Sequence, residues 1–546
     1  MVVTPLSKYL LFRSMGIFNK HLFNGTNLEK LLFLFLALFH LIPIVSYQFF
    51  PTLDGPAHLY NSNLINELLL NPNSNISQYF EFNSALITNF SGHFLLSFFN
   101  WFLPAFFAEK VFLVLYALGI PYSLRYLIKQ INPTGIGLSY FSFPIIYSTV
   151  FLLGFYNFSI ALVFFFFALG YWYKHQDNMT KFSRKLILAG LILLTLFSHL
   201  FVFAVLLLCL FLPVFFDFIP IRINKTINFK SQWTKIKALA IVSFVPFLLL
   251  VYYFLSRPSS SKSSYLSLEQ LTNNLMNMDC IIAFNASFEG SHASFILLSI
   301  CILIFAKVGA RIYSITQNKS SSSVFKKQDV WLVMAFVLLG MCFYLPNSNS
   351  FGGFISNRIS LLFFLLLIVW LSTEKISKFI LIPCVALMIY SSGNLVNYYK
   401  KTMFDLTQLA TNCFETAEYI EEGSVVLPLN YSNEWNTGHY SNFLGIEKPM
   451  VILDNYEAVN DYFPVRWRPN SVPKPWGEPM ANNSFNCLDL KNDKWQGLQI
   501  DYIFIIKNSQ NNRVNCDEQY DGIHKEDYSL VHENERCLLY RFNKSI

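Results

Sequence analysis

Asp54 and His58 stand four residues apart in the stretch Thr-Leu-Asp-Gly-Pro-Ala-His-Leu-Tyr (Thr52 to Tyr60), just after the first long apolar run ends. A carboxylate at a membrane face can act as a general base toward a hydroxyl, or help to hold a divalent metal. Pro56 suits the first turn of a helix, so Gly55-Pro56 is expected to open a short surface helix covering Ala57 to Leu70. Asp54 would then sit at or just before the positive end of the helix dipole, which stabilises its charge. Capping of that helix is the alternative role for Asp54. The local pattern leaves both open.

Other polar residues stand at the ends of apolar runs. His93 follows Ser91-Gly92, Asn157 lies in Gly154-Phe-Tyr-Asn-Phe, and His199 lies in the tight turn Phe197-Ser-His-Leu. Arg358 follows the Gly/Asn/Ser-rich stretch Pro346 to Asn357. An arginine beside such a loop suits a phosphate or pyrophosphate, which it can hold through a bidentate fork; snorkelling to lipid headgroups is its other reading. Glu289 and His292, in a long Ser-rich loop (Ser256 to His292), are weaker candidates of the same kind. The chain has no Gly-rich phosphate loop and no nucleophile elbow, so neither ATP hydrolysis nor a serine hydrolase is supported.

These residues must be positioned by membrane helices. The 546 residues are 54% hydrophobic and only 13% charged, with 58 phenylalanines, whereas a soluble chain carries about 25% charged residues. Apolar runs near 20 residues recur, the length that crosses a bilayer. The first, Leu31 to Ser46, follows a basic leader without a small-residue cleavage site and is expected to be a retained helix. The fold class is thus a polytopic α-helical membrane protein.

Charge sets the expected topology. From Lys400 onward 14 Lys/Arg face 21 Asp/Glu, a net of −7, while the first 399 residues carry 26 against 12, a net of +14. Basic loops on one side of a membrane are a topology signal rather than a nucleic-acid footprint. With the leader (1–30; Lys8, Arg13, Lys20, Lys30) in the cytoplasm, the Lys/Arg-free stretch 50–108 becomes a first external loop as far as Phe107. All later basic clusters fall inside only if His93 to Phe107 stays at the outer interface, being short for a span and broken by Pro104. Eleven spans follow, within 31–397: about 31–49, 109–129, 136–153, 155–173, 184–198, 200–219, 236–256, 293–310, 329–346, 358–372 and 377–397.

The tail, 398–546, changes character. Short β-branched and aromatic runs at Ser424, Met450 and Asp501 alternate with turn residues, and Tyr528–His532 with Arg536–Arg541 reads as a hairpin. A small extracytoplasmic α/β domain is expected. Its four cysteines, Cys413, Cys487, Cys516 and Cys537, are either disulfide-forming or free thiols.

The combined pattern resembles the GT-C class of integral-membrane glycosyltransferases, which includes protein O-mannosyltransferases, lipid A aminoarabinose transferases and oligosaccharyltransferase catalytic subunits. Asp54 matches the essential acid of their first external loop. Gly55 departs from the Asp-Glu pair of the mannosyltransferase-like branch; His58 and Tyr60 fall where that branch has a tyrosine. Ser91-Gly-His93 resembles its His-Pro-Pro segment without the prolines. Asn157 stands where many relatives carry a second acid, and Arg358 resembles their late lipid-phosphate arginine. The resemblance implies transfer of a sugar from a polyprenyl-phosphate donor to a hydroxyl of a glycan, lipid or protein acceptor on the outer face of the cytoplasmic membrane. It implies Asp54 as the catalytic acid, with His58 expected to act beside it, and His93, Asn157 and Arg358 at the substrates; His199, Glu289 and His292 join the substrate-binding candidates through their expected place on the same outer face. The resemblance fixes no cofactor, and a divalent metal could assist. The competing expectations are a transporter or flippase for a lipid-linked glycan, and a non-catalytic assembly protein of the same fold. A transporter calls for internal repeats and midplane charges, and no internal repeat is visible.

Overall fold

The computed structural model describes residues 25–83, 85, 88–218, 229–256, 263–317, 325–349, 352–432, 434–471, 498–507 and 527–543. Lys8, Arg13 and Lys20 of the basic leader, and Cys487 and Cys516, lie outside the described residues. The protein is a polytopic helical membrane protein. Among the described residues nine helical segments are long and apolar enough to cross a bilayer: Asn27–Val45, Ala105–Ile131, Pro133–Leu152, Tyr156–Asn178, Phe229–Leu255, Ala286–Thr316, Lys327–Tyr344, Ile355–Ser372 and Lys378–Tyr419. The expected spans at 184–198 and 200–219 are helices of 17 residues each, Phe182–Ser198 and Leu200–Phe216, at the short limit for a span. Counting only helices of 18 residues or more leaves nine segments among the described residues, against the eleven expected.

Two local departures have visible causes. The expected span 136–153 is mostly a 3-10 helix, Pro133–Ile145, with Pro144 inside it. Proline supplies no N–H to an α-helical ladder, and a Cβ on Gly135 would lie 2.3 Å from the Ser372 carbonyl oxygen. The tighter helix rises about 2.0 Å per residue and covers the same depth with fewer residues. The stretch from His93 to Phe107 does not form one helix. Ser91–Asn100 is a ten-residue helix, and the next begins at Ala105 after Pro104. Ten residues rise about 15 Å, half a hydrocarbon core.

The last helix, Lys378–Thr416, runs 39 residues without a break at 397. Beyond that point its buried residues, Tyr399, Met403, Leu406, Ala410 and Cys413, follow a three-to-four spacing, the stripe of a helix packed on one side. It carries the chain into a five-stranded mixed sheet of order β3-β2-β5-β7-β6. Here β2 is Val425–Asn430, β3 Val451–Ile452, β5 Tyr502–Ile506, β6 Tyr528–Glu533 and β7 Cys537–Phe542. β2 pairs in parallel with β3 and β5, and the β6–β7 hairpin joins antiparallel to β5. The Cys413 and Cys537 thiols meet with sulfurs 3.7 Å apart, linking helix to hairpin.

This domain sits on the first loop. β1 (Phe80–Phe82) pairs antiparallel with β4 (Val465–Trp467), and the rings of Phe80 and Trp467 stack at 4.2 Å. Asn61 and Asn455 exchange two amide hydrogen bonds (3.0 and 2.9 Å), and the Tyr60 hydroxyl donates to the Met450 carbonyl at 2.7 Å. The helix Gly55–Leu70 is therefore buried between membrane helices and domain, with Leu59, Tyr60 and Leu64 fully enclosed. A surface helix was expected. The sequence could not reveal the cover, because the covering residues lie almost 400 positions away.

Candidate functional site

The backbone at Asp54 is fixed by a turn from a distant segment. The Leu53 and Asp54 N–H groups donate to the Leu152 and Leu153 carbonyls, both at 3.2 Å. Gly154 follows with φ +82°, and a Cβ there would lie 2.6 Å from the Asp54 nitrogen. Only glycine combines that left-handed backbone with so close an approach. The Gly154 carbonyl accepts from His58 Nε2 at 2.9 Å. One turn thus orients both candidates. Asp54 does precede the Gly55–Leu70 helix, but its side chain makes no capping hydrogen bond, which removes the simplest structural role for its carboxylate.

The groups around that carboxylate come largely from the C-terminal domain. His439 Nε2 lies 3.6 Å from Asp54 Oδ1, and the His439 ring stacks on Tyr456 at 4.3 Å. Burial pushes the Asp54 carboxyl up from 3.8 to about 7; His58 and Arg358 counter this and Glu457 adds to it. A base near neutrality suits proton abstraction at physiological pH. Burial likewise holds the His439 imidazole down at about 4.

Glu457 is wholly buried between two imidazoles. Its Oε1 contacts His58 Nδ1, and its Oε2 lies 2.7 Å from His93 Nε2. Burial opposes its charge, but His93 and His58 together outweigh burial and hold the carboxyl at about 2. Burial also opposes a charge on His58, yet Glu457, with Asp54 behind it, lifts that imidazole above its ordinary value. At His93 burial prevails and the imidazole falls. His58, His93 and Glu457 are the one group among the described residues whose ligand atoms converge closely enough to hold a metal ion.

Gly55 has a structural explanation. A Cβ there would fall 2.5 Å from Thr52 Oγ1 and from the Tyr156 hydroxyl, and 2.9 Å from Glu109 Oε1. The space of a residue-55 side chain is filled by Thr52, Tyr156 and Glu109, the last a buried acid on the Ala105–Ile131 helix that accepts from Tyr156 at 2.6 Å. A second carboxylate is therefore present, but it comes from another element.

Asn157 positions rather than faces the centre. Its Oδ1 accepts from Gly92 N–H at 2.7 Å and its Nδ2 donates to the Asn89 carbonyl at 3.2 Å, pinning the start of the His93 helix. His199 and Arg358 form a pair, Nε2 to NH1 at 2.9 Å, with the guanidinium 4.2 Å over the Phe155 ring. Among the described residues Arg358 has no carboxylate in ion-pair contact, and its Nε is buried without a partner. The pair lies at a cavity of about 280 Å³ lined mostly by apolar side chains such as Leu200, Phe201, Leu250 and Ile355, with Thr88, Asn89 and Asn349 among the rest. Glu289 and His292 are engaged elsewhere. Glu289 Oε2 accepts from the N–H groups of Ala283, Phe284 and Asn285 (2.7–2.9 Å) at the start of its own helix, and Oε1 from Tyr399 at 2.7 Å. His292 packs against Phe288 and Phe295.

Sequence reasoning missed Glu109, His439, Tyr456 and Glu457. Nothing local marks the last three: Asp-Asn-Tyr-Glu (454–457) and Thr-Gly-His-Tyr (437–440) in an acidic tail look like solvated polar surface. The fold and site define a helical membrane protein with a buried acid–imidazole centre roofed by its own C-terminal domain. No family model matches the chain, and no curated protein matches it.

Proposed function

We propose that this protein is a membrane glycosyltransferase of the GT-C type, moving a sugar from a polyprenyl-phosphate donor to an acceptor hydroxyl of a glycan, lipid or protein. The observation that carries the reading is the Arg358–His199 pair at a mostly apolar cavity. Among the described residues the guanidinium has no carboxylate in ion-pair contact, and the first loop adds Asp54, a buried acid that burial raises to about 7. That combination fits a donor with an anionic head and an apolar tail, and an acceptor hydroxyl that must lose a proton.

In this reading Asp54 takes the proton of the acceptor hydroxyl as its oxygen attacks the anomeric carbon. The bond from that carbon to the lipid-phosphate oxygen breaks, the anomeric centre inverts, and Arg358 with His199 stabilises the departing phosphate. The prenyl chain follows the apolar cavity toward the bilayer. Glu109 stays with Tyr156 as a buried support for the Asp54 loop. The protein would work in the cytoplasmic membrane, with its N-terminus cytoplasmic and its α/β domain outside, as the charge asymmetry of the loops suggests.

Purified protein incubated with synthetic polyprenyl-phosphate sugars and a hydroxyl-bearing glycan, lipid or peptide acceptor should release polyprenyl phosphate and glycosylate the acceptor. Replacing Arg358 with Lys keeps the charge but loses the fork, and should weaken donor binding by about 10-fold or more. Wild-type donor affinity in R358K would sink the phosphate-clamp assignment.

A further inference from the structure

We propose that His58, His93 and Glu457 bind one zinc-class divalent cation, and that this ion fastens the C-terminal domain onto the first loop. The inference concerns a metal and a docking contact, and it stands whether or not the protein transfers sugars.

The donor set has the right chemistry. Two imidazole nitrogens and one carboxylate are ligands that zinc and its neighbours in the first transition row take in open, three-ligand protein sites. All three side chains are buried, with Glu457 and His93 at 0% exposure. Their ligand atoms lie within 4.8 Å of one another. Bond lengths of about 2.0–2.2 Å to a central ion would bring tetrahedral ligand atoms within roughly 3.5 Å of each other, an adjustment on the order of 1 Å.

The hydrogen bonding of His58 sharpens the argument. Its Nε2–H donates to the Gly154 carbonyl at 2.9 Å, so in the neutral ring Nδ1 carries a lone pair and no proton. That lone pair faces Glu457 Oε1, itself an acceptor, at contact distance. Two acceptors so close need a proton or a metal cation between them. A backbone carbonyl holding the far nitrogen of an imidazole is also the outer-shell arrangement that orients histidine ligands toward metals. An extra proton on His58 is the competing occupant of the same gap.

The three ligands belong to separate parts of the fold: the Gly55–Leu70 helix, the Ser91–Asn100 helix, and the C-terminal domain 399 residues after His58. The set is complete only when the domain has docked. Binding the ion and docking the domain would therefore be one equilibrium. Three protein ligands also leave a fourth position for water or a substrate oxygen, as in catalytic rather than closed structural sites.

The test uses the full chain, purified in detergent on a peptide tag without immobilised metal. After dialysis against Zn²⁺ and removal of free ion, elemental analysis should find about one zinc per chain. Cobalt(II) in its place should give the visible bands of a four-coordinate nitrogen–oxygen site. The Glu457→Gln variant should hold no zinc, because it lacks the anionic oxygen ligand, while its neutral amide can still bond both imidazoles and keep the fold. His93→Gln serves as a second probe. Chelator should lower the unfolding temperature of wild type and speed proteolytic release of the C-terminal domain, leaving E457Q indifferent. Folded wild type that binds no zinc or cobalt would overturn the proposal in favour of a shared proton. So would zinc bound equally by wild type and by both variants.

Discussion

Replacing Asp54 with Asn should cost activity and gain stability, in amounts that depend on pH. Burial raises the carboxyl from 3.8 to about 7. Between those values the folded chain keeps a proton that the unfolded chain has released, so stability falls as pH rises through this window and stays low above it. At about 1.4 kcal/mol for each pH unit of displacement, the folded protein above pH 7 carries on the order of 4 kcal/mol of unfavourable ionisation. Asparagine has the same shape and no charge to desolvate. At pH 8.5 D54N should therefore unfold roughly 5 °C above wild type, and at pH 4 the two should nearly coincide. The same substitution removes the base and should lower turnover by about 10²–10⁴, while wild-type turnover should climb toward pH 7 as Asp54 ionises. Thermal unfolding in detergent at the two pH values and a turnover assay read both effects. A D54N protein no more stable than wild type at pH 8.5 would refute the burial argument, and one with full turnover would refute the catalytic assignment.

Gly154→Ala should destabilise by at least about 2 kcal/mol, since it combines a strained left-handed backbone with a clash against the Asp54 nitrogen; a melting temperature equal to wild type would remove the turn from the account of the site. Asn157→Ala should lower turnover about 10-fold with little change in KM, by loosening the helix that carries His93, and an unchanged rate would make the residue a bystander. Glu289→Ala should cost about 2–4 kcal/mol by orphaning three N–H groups, yet leave the activity of the folded fraction near wild type; a selective loss of donor binding would return Glu289 to the substrate site.

Composition and apolar run length were enough to establish a helical membrane protein, because a bilayer admits little else for such runs. Turn residues and alternation were enough to mark β2, β3, β5 and the β6–β7 hairpin. Asp54, His58, His93, His199 and Arg358 stood out as candidates because they are polar groups at the ends of apolar runs, with capping and snorkelling as their other readings. The failures are equally physical. A two-residue acid pair is readable in sequence, but an acid supplied by Glu109 into the space above Gly55 is not. Glu289 looks from its neighbours like an exposed loop acid, and only the fold turns three backbone N–H groups onto it. Helix and strand periods report which side of an element is apolar; they carry no information about what covers it. Only the tertiary structure could bring His439, Tyr456 and Glu457 over the first loop, because that contact is made by residues distant in sequence, and its local cost is invisible until the burial it creates is seen.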